Sequence, residues 1–376
     1  MIGLVRAEPG ITRAAAAARL GIGSGGATDL VARVRRAELL DEAPAPARGR
    51  GRPTAVLRPH PRGPLVLAAE LRDADWRLAC ADLGGRPAVV AHGRHTGKRL
   101  DHLLREMADA IADAYREESA RIGAVSVSVA GTVSDARLVQ FTTRGWTDVD
   151  LSVLTAGLPA DLPLLIDNDA TLAGLAEARS GAARGARTAL HLLLAVGVGG
   201  TLVIDGEPVT GAHGAAGEYG HIPFGDPALV CPCGASGCWS LTVDGAALAR
   251  HLGNPPPEDP VAFTRAVLDD GAVAGTRRAI DAVVTSLAAG IAGLVNLHDP
   301  DVVTLGGLAV PLRAAAPGPF DTAYRRGLMA FRKASAPPVL DGNHGDTAPL
   351  HGAAARALDV VTAEAALAQW AAHRDG

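Results

Sequence analysis

Cys231, Cys233 and Cys238 stand in the run Cys-Pro-Cys-Gly-Ala-Ser-Gly-Cys, and His221 lies ten residues upstream in Gly-Glu-Tyr-Gly-His. Three thiolates and one imidazole complete the four-coordinate shell that a structural zinc takes, whereas a catalytic zinc keeps one position open. The set predicts a metal that braces a loop and activates no water. Gly234 and Gly237 permit the tight backbone that brings neighbouring sulfurs to one point. The alternative is a set of buried or disulfide-paired cysteines, but Cys231 and Cys233 are too close in the chain to pair without strain.

At 376 residues the chain is too long for one ordinary core, and two or three domains are expected. The net charge of −4 is unevenly spread. Arg6, Arg13, Arg19, Arg33, Arg35, Arg36, Arg48, Arg50, Arg52, Arg58 and Arg62 face only Glu8, Asp29, Glu38, Asp41 and Glu42 at the front. A basic front on an acidic body suggests a polyanion partner there, although a solvated basic surface has the same composition. No long uninterrupted apolar span is evident, and the start lacks the zones of a signal peptide. Cysteines clustered for metal fit a reducing compartment. A cytoplasmic protein with no membrane partner is expected.

Thr12 to Leu20 reads as a short helix, Gly21 to Gly26 as a turn, and Ala27 to Leu40 as a second helix with Leu30, Val31, Val34 and Leu39 at helical spacing. That is a helix-turn-helix layout, in which the second helix enters the major groove by its N-terminal end. Arg48-Gly-Arg-Gly-Arg-Pro then resembles the hairpin wing of winged helix-turn-helix domains. Ser24, Thr28, Arg33, Arg35 and the wing residues Arg48, Arg50 and Arg52 are the candidate contacts to double-stranded DNA. Interior glycines such as Gly25 and Gly26 each cost a helix roughly 1 kcal/mol relative to alanine.

Glu218-Tyr-Gly-His221 followed by CxCGxxGC at this spacing resembles the signature of the ROK family, whose members are sugar kinases or sugar-responsive transcription factors. The resemblance implies a winged helix-turn-helix at 1–62, then a two-lobed α/β actin-like (ribonuclease H-like) fold. The first lobe would take 63–182 with 350–376, and the second 183–349 with the zinc loop. It also implies ligand contacts from Gly131, Asn168, Asp169, Glu218 and His221. Asp169 matches the aspartate that takes the sugar hydroxyl proton in the kinases; the alternative for Asp169 is a helix N-cap. His221 would serve both zinc and ligand, one ring nitrogen each. Ser240 stands where the family carries a glutamate after the last cysteine, and Thr143 where it carries an asparagine.

The kinases' first phosphate loop, Asp-x-Gly-Gly-Thr, corresponds to Glu70-Leu71-Arg72-Asp73-Ala74, so both glycines are replaced by charged side chains. Asp73 would repel a triphosphate by about 1 to 4 kcal/mol at ~4 Å. The second loop keeps Gly197, Gly199 and Gly200 but has Ala195 and Thr201 at further glycine positions; it also reads as a plain tight turn. ATP is therefore not expected as a cofactor. The expected protein is a zinc-containing transcriptional repressor controlled by a sugar or related small molecule, acting as a homodimer on paired half-sites. The alternatives are a ROK sugar kinase with an appended head, and a zinc-braced module that has lost DNA and ligand.

Overall fold

Thr12 is extended (φ −79°, ψ 157°) and its Oγ1 accepts the Ala15 N–H at 3.1 Å, so a helix starts there and ends where Gly21 turns left-handed at φ 65°. Such caps satisfy the end groups that a helix leaves unpaired. The computed structural model describes residues 1–45, 55–95, 99–134, 137–269 and 274–375. In chain order it begins with α1 (Ile2–Ala7), α2 (Arg13–Leu20), α3 (Ser24–Arg36) and the antiparallel pair β1 (Leu40–Pro44) and β2 (Ala55–Pro59). Next come β3 (Leu65–Leu71), β4 (Asp75–Asp82), β5 (Ala88–Arg94), α4 (Leu100–Glu117), β6 (Ile122–Val129), β7 (Thr132–Ser134), β8 (Arg137–Phe141), β9 (Trp146–Asp150) and β10 (Leu164–Asn168). Then follow α5 (Asp169–Ser180), β11 (Thr188–Leu194), β12 (Val198–Ile204), β13 (Glu207–Pro208), α6 (Gly245–His251), α7 (Pro260–Asp269) and α8 (Ala274–His298). The last elements are β14 (Val302–Gly307), α9 (Ala309–Ala315), α10 (Pro317–Gly327), β15 (Val339–Asp341), α11 (Ala348–Val361) and α12 (Glu364–Asp375).

The chain forms two compact units. One is Met1–Ser128 with Asp150–Ile166 and Ala353–Gly376; the other is Val129–Val149 with Asp167–Gly352. The first 62 residues thus share a unit with the β3–β5 sheet, and α5, expected with the first lobe, lies in the second unit.

At the front of the first unit, Val5, Ile11, Ala16, Val31, Leu40 and Leu57 close a small core. Helix α1, which sequence reading missed, contributes Val5. Helix α3 starts at Ser24, three residues before the expected Ala27, and stops at Arg36 because Leu40 is already in a strand. Behind it runs a five-stranded sheet in the order β10-β6-β3-β4-β5. All seven residues of β3 are buried, including Glu70, which pairs across the ladder with Arg77 at 3.0 Å. A carboxylate in a central strand needs such a partner.

The alanine-rich end forms two helices separated at Thr362-Ala363. Helix α12 reaches the front core. Trp370 Nε1 donates to the Ala37 carbonyl at 2.7 Å, at the C-cap of α3, and Arg374 lies 4.1 Å over the Trp370 ring. Arg374 also pairs with Glu38 at 3.1 Å, and Arg6 of α1 with Asp359 at 3.1 Å. Glu38 holds a left-handed φ of 54°, rare for a residue with a side chain, and it also pairs with Arg62. Trp370→Ala is expected to lower the stability of the front core by about 2 kcal/mol, through a lost hydrogen bond and lost ring packing. Hydrogen exchange of α3 amides reads the change; unaltered exchange would refute the tie.

In the second unit the sheet order is β13-β12-β11-β14-β15, with β11, β14 and β15 parallel. Helices α8 and α10 pack on it over a core that includes Leu192, Leu287, Ile291, Leu305 and Phe320. Helix α8 corrects the expectation of no long apolar span. Gly275–His298 is long and apolar enough to cross a membrane, with a mean hydropathy of 1.7 over its best window, 56% of which is buried. That burial is the pattern of a core helix. A three-stranded sheet, β7-β8-β9, completes the unit.

Candidate metal centre and ligand site

The knuckle carrying the cysteines is closed by its own backbone. Cys231 N–H donates to Ala235 O at 2.7 Å and Gly234 N–H to Cys231 O at 2.9 Å, while Gly234 and Gly237 take φ 96° and 71°. His221 ends a 3-10 turn, Tyr219–His221, that Trp239 N–H ties to the knuckle through Ile222 O at 2.9 Å. The four ligand atoms lie within 4.8 Å of one another. Cys233 and Cys238 Sγ are 3.7 Å apart, and Cys231 Sγ is 3.8 Å from His221 Nδ1. Zinc–sulfur bonds of about 2.3 Å in a tetrahedron set sulfurs about 3.8 Å apart, so this chemistry and spacing fit zinc. Without a metal, burial and the neighbouring sulfurs push the Cys238 thiol up to about 12. A cation reverses that, since it binds the thiolate.

His221 presents Nδ1 to the sulfurs, leaving Nε2 3.9 Å from a Glu218 carboxylate oxygen. The other Glu218 oxygen accepts from Thr132 Oγ1 at 2.6 Å. One residue earlier, the Gly131 carbonyl accepts from Asn168 Nδ2 at 3.0 Å, and Asn168 Oδ1 caps α5 by accepting from the Ala170 and Thr171 N–H groups. The candidate ligand residues therefore form a polar chain from the N-terminus of α5 to the metal cluster. Asn168, and not Asp169, is the N-cap; Asp169 is the first helical residue, half-buried, and accepts from the Ala170 N–H at 2.8 Å. Gly131 has no room for a side chain, because a Cβ would sit 2.6 Å from Gln140 O. Thr132 was missed by sequence reading; its signal was its place beside Gly131. Ser240 is buried, and its Oγ accepts the Val198 N–H at 3.0 Å, fastening the 195–199 turn to the knuckle. Thr143 is exposed in the 3-10 turn Thr142–Arg144.

At the position of the first phosphate loop, the β3–β4 turn is closed on itself. Arg72 donates twice to Asp75, at 2.6 and 2.8 Å, and its carbonyl is bonded to the buried His95 Nε2 at 2.9 Å. In the second loop the glycines serve packing. A Cβ on Gly199 would sit 2.7 Å from Ala170 Cβ, and one on Gly200 would meet Tyr219 and His191 O at 2.7 and 2.8 Å.

Sequence reading also missed a buried polar pair beneath α5. His191 on β11 is bonded through Nδ1 to Thr304 Oγ1 at 2.9 Å, and its Nε2 has no partner among the described residues. Burial drops this imidazole to about 4, against a smaller upward pull from Glu177. Burial raises the Glu177 carboxyl, but N–H donors from Ala182, Asn343 and His344 outweigh it and hold the group below the usual range. His344 Nε2 is 3.0 Å from Ser180 Oγ, and the exposed Asp346 pairs with Arg265 at 3.4 Å.

On α3, Ser24, Thr28, Arg33 and Arg35 are all exposed. Thr28 Oγ1 donates to Ser24 O at 2.9 Å, and Arg35 turns back onto Asp41 at 3.3 Å and Glu42 at 3.7 Å. Arg33 and Arg36 carry no ion pair among the described residues, which adds Arg36, one turn from Arg33, to the candidates. Arg48, Arg50 and Arg52 lie outside the described residues. A Cβ on Gly25 or Gly26 would meet nothing within 4 Å, so no packing demands these glycines.

The ROK family profile matches residues 77–360. The glucokinase of Streptomyces coelicolor is 30% identical over 271 residues, spanning 65% of this chain and 84% of its own. A ROK hexokinase structure from Thermus thermophilus superposes with a TM-score of 0.65 at 27% identity, covering 80% of this chain and all of that one (100%). A ROK family transcriptional regulator, a homologue of the E. coli MLC protein, superposes with a TM-score of 0.73 over 100% of this chain and 98% of its own. At 21% identity that last likeness is one of fold alone. With the profile covering well over half of its length and a two-lobed, actin-like fold beneath it, the chain belongs to the ROK family.

Proposed function

We propose that this chain is a DNA-binding transcriptional regulator, a repressor whose operator affinity is set by a sugar or related small molecule, and that it transfers no phosphate. The β3–β4 turn carries the reading. Arg72 and Asp75 neutralise each other where a nucleotide's phosphates need bare backbone N–H groups. Residues 1–62 act as a winged helix-turn-helix head, with α3 in the major groove. The fold likeness to the regulator spans that head, and the likeness to the hexokinase covers 80% of the chain. Arg33 and Arg36 neutralise phosphates, and the exposed glycines of α3 let its first turn approach the duplex closely. Zinc holds His221, Cys231, Cys233 and Cys238 together and so fixes Glu218 for the ligand, with Asp169 accepting a hydroxyl. Ligand and operator then oppose each other by linkage, two chains occupying paired half-sites.

Footprinting on the DNA upstream of its own gene, with a panel of sugars and their phosphates, tests this reading. A protected site released by one of them is expected, with affinity falling roughly as the 0.9 power of salt per phosphate contacted. Turnover of a hexose with magnesium-ATP would overturn the claim of no phosphoryl transfer. Gly26→Ala is expected to stabilise α3 by about 1 kcal/mol yet weaken operator binding, because the new methyl stands on the docking face. Equal affinity for both proteins would remove that face from the interface.

The second reading, a kinase with an appended head, is favoured by the glucokinase likeness and by an aspartate at 169. The same turnover assay decides it.

A further inference from the structure

The three cysteines of the knuckle are unequally placed. Cys238 is fully buried and Cys231 is 5% exposed, whereas Cys233 is half-buried at the tip. Gly234, next to it, has open space where a Cβ would be, and Val230 on the same loop is 74% exposed. The accessible sulfur therefore has a buried neighbour, Cys238, 3.7 Å away and five residues along the chain. The two glycines between them already hold left-handed φ values, so the backbone tolerates a tight loop. Closing 3.7 Å to a disulfide bond of about 2.05 Å asks for side-chain rotation and a small backbone adjustment. Cys231 sits two residues from Cys233 and is pinned by its own N–H to Ala235 O.

We infer that Cys233 is a peroxide-reactive site and Cys238 its resolving partner, so that oxidation opens the metal centre. The Cys233 thiolate attacks one oxygen of hydrogen peroxide, forming a sulfenic acid and releasing hydroxide. The Cys238 thiolate then displaces hydroxide from that sulfur, forming the Cys233–Cys238 disulfide. Two thiolates lose two electrons, the peroxide oxygens gain them, and both hydroxides take protons from the buffer. Only His221 and Cys231 remain as donors, too few to retain zinc. The turn bearing Glu218 and His221 loses its brace, so peroxide acts on the same residues as the small-molecule ligand. This inference rests on the reading of the cluster as a zinc site, so zinc uptake is measured first.

The test uses the full chain with Cys80→Ser, so that the knuckle holds the only cysteines. Zinc content is measured by elemental analysis, release by a chromogenic chelator, and pairing by mass spectrometry of alkylated peptides, all after hydrogen peroxide. Expected are loss of two thiols per zinc released, a Cys233–Cys238 disulfide with Cys231 alkylated, faster exchange of amides 217–222, and reversal by dithiol plus zinc. Cys233→His keeps four donors and is expected to hold zinc yet release it at least about tenfold more slowly under peroxide, lacking the accessible thiolate. A protein that takes up no zinc refutes the metal reading itself. Bound zinc that survives excess peroxide, a disulfide through Cys231, or equal release from Cys233→His refutes the switch and leaves the metal reading standing.

Discussion

Cys238→Ser is expected to leave a protein with less than about a tenth of an equivalent of tightly bound zinc, a second unit destabilised by ~4 kcal/mol and a Tm lower by roughly 10 °C. The sulfur is fully buried and lies 3.7 Å from the His221 carbonyl as well as from Cys233. Serine keeps the size but offers a hydroxyl that zinc does not hold as it holds a thiolate. The loss spreads because the knuckle, the His221 turn and the 195–199 turn are one assembly, joined through Trp239 N–H and Ser240 Oγ. Cys80→Ser, on β4 and far along the chain from the cluster, is the control and should change neither quantity. Calorimetry with elemental analysis reads both, and a variant with wild-type zinc and Tm would show that Cys238 is no ligand.

The second large effect is a loss of stability in mild acid. His191 titrates at about 4 in the fold and at 6.5 in the open chain. Between those values the unfolded state binds the extra proton, so stability must rise with pH across the interval. The contribution is complete above 6.5 and falls away as the pH drops towards 4. Its size is about 3 kcal/mol for this buried imidazole. Glu177 adds in the same direction at lower pH, since its carboxyl is held below the ordinary value and must be protonated in acid. Urea denaturation from pH 7.5 to 4 should show this slope, and His191→Asn should flatten the part between 6.5 and 4. A variant whose curve runs parallel to wild type would assign the acid lability elsewhere.

Local features of the site were legible and distant pairings were not. The cluster that could hold a metal could be read because its four members fall between 221 and 238 and each contributes a distinctive chemistry. The start of α5 could be read from Asp167-Asn168-Asp169 after an apolar strand, though which residue caps it could not, since either side chain can accept the N–H groups. The link from Thr132 to Glu218 spans 86 positions, and no periodicity announces it. His191 sits in a run of leucines whose pattern says only that the strand is buried. Glu70 was read as a lost phosphate position; its partner Arg77 follows from the β3–β4 register, which the pattern alone left unspecified.

The contact between Trp370 and Ala37 joins positions 333 residues apart. A ribosome delivers the front of this chain long before it delivers α12, at about 5–20 residues per second. Some tens of seconds therefore separate the appearance of α3 from the arrival of the indole that fastens its C-terminal end. During that interval the nascent front is only partly anchored. The C-terminal end of α3 thereby gains its last fastening only once α12 has been made.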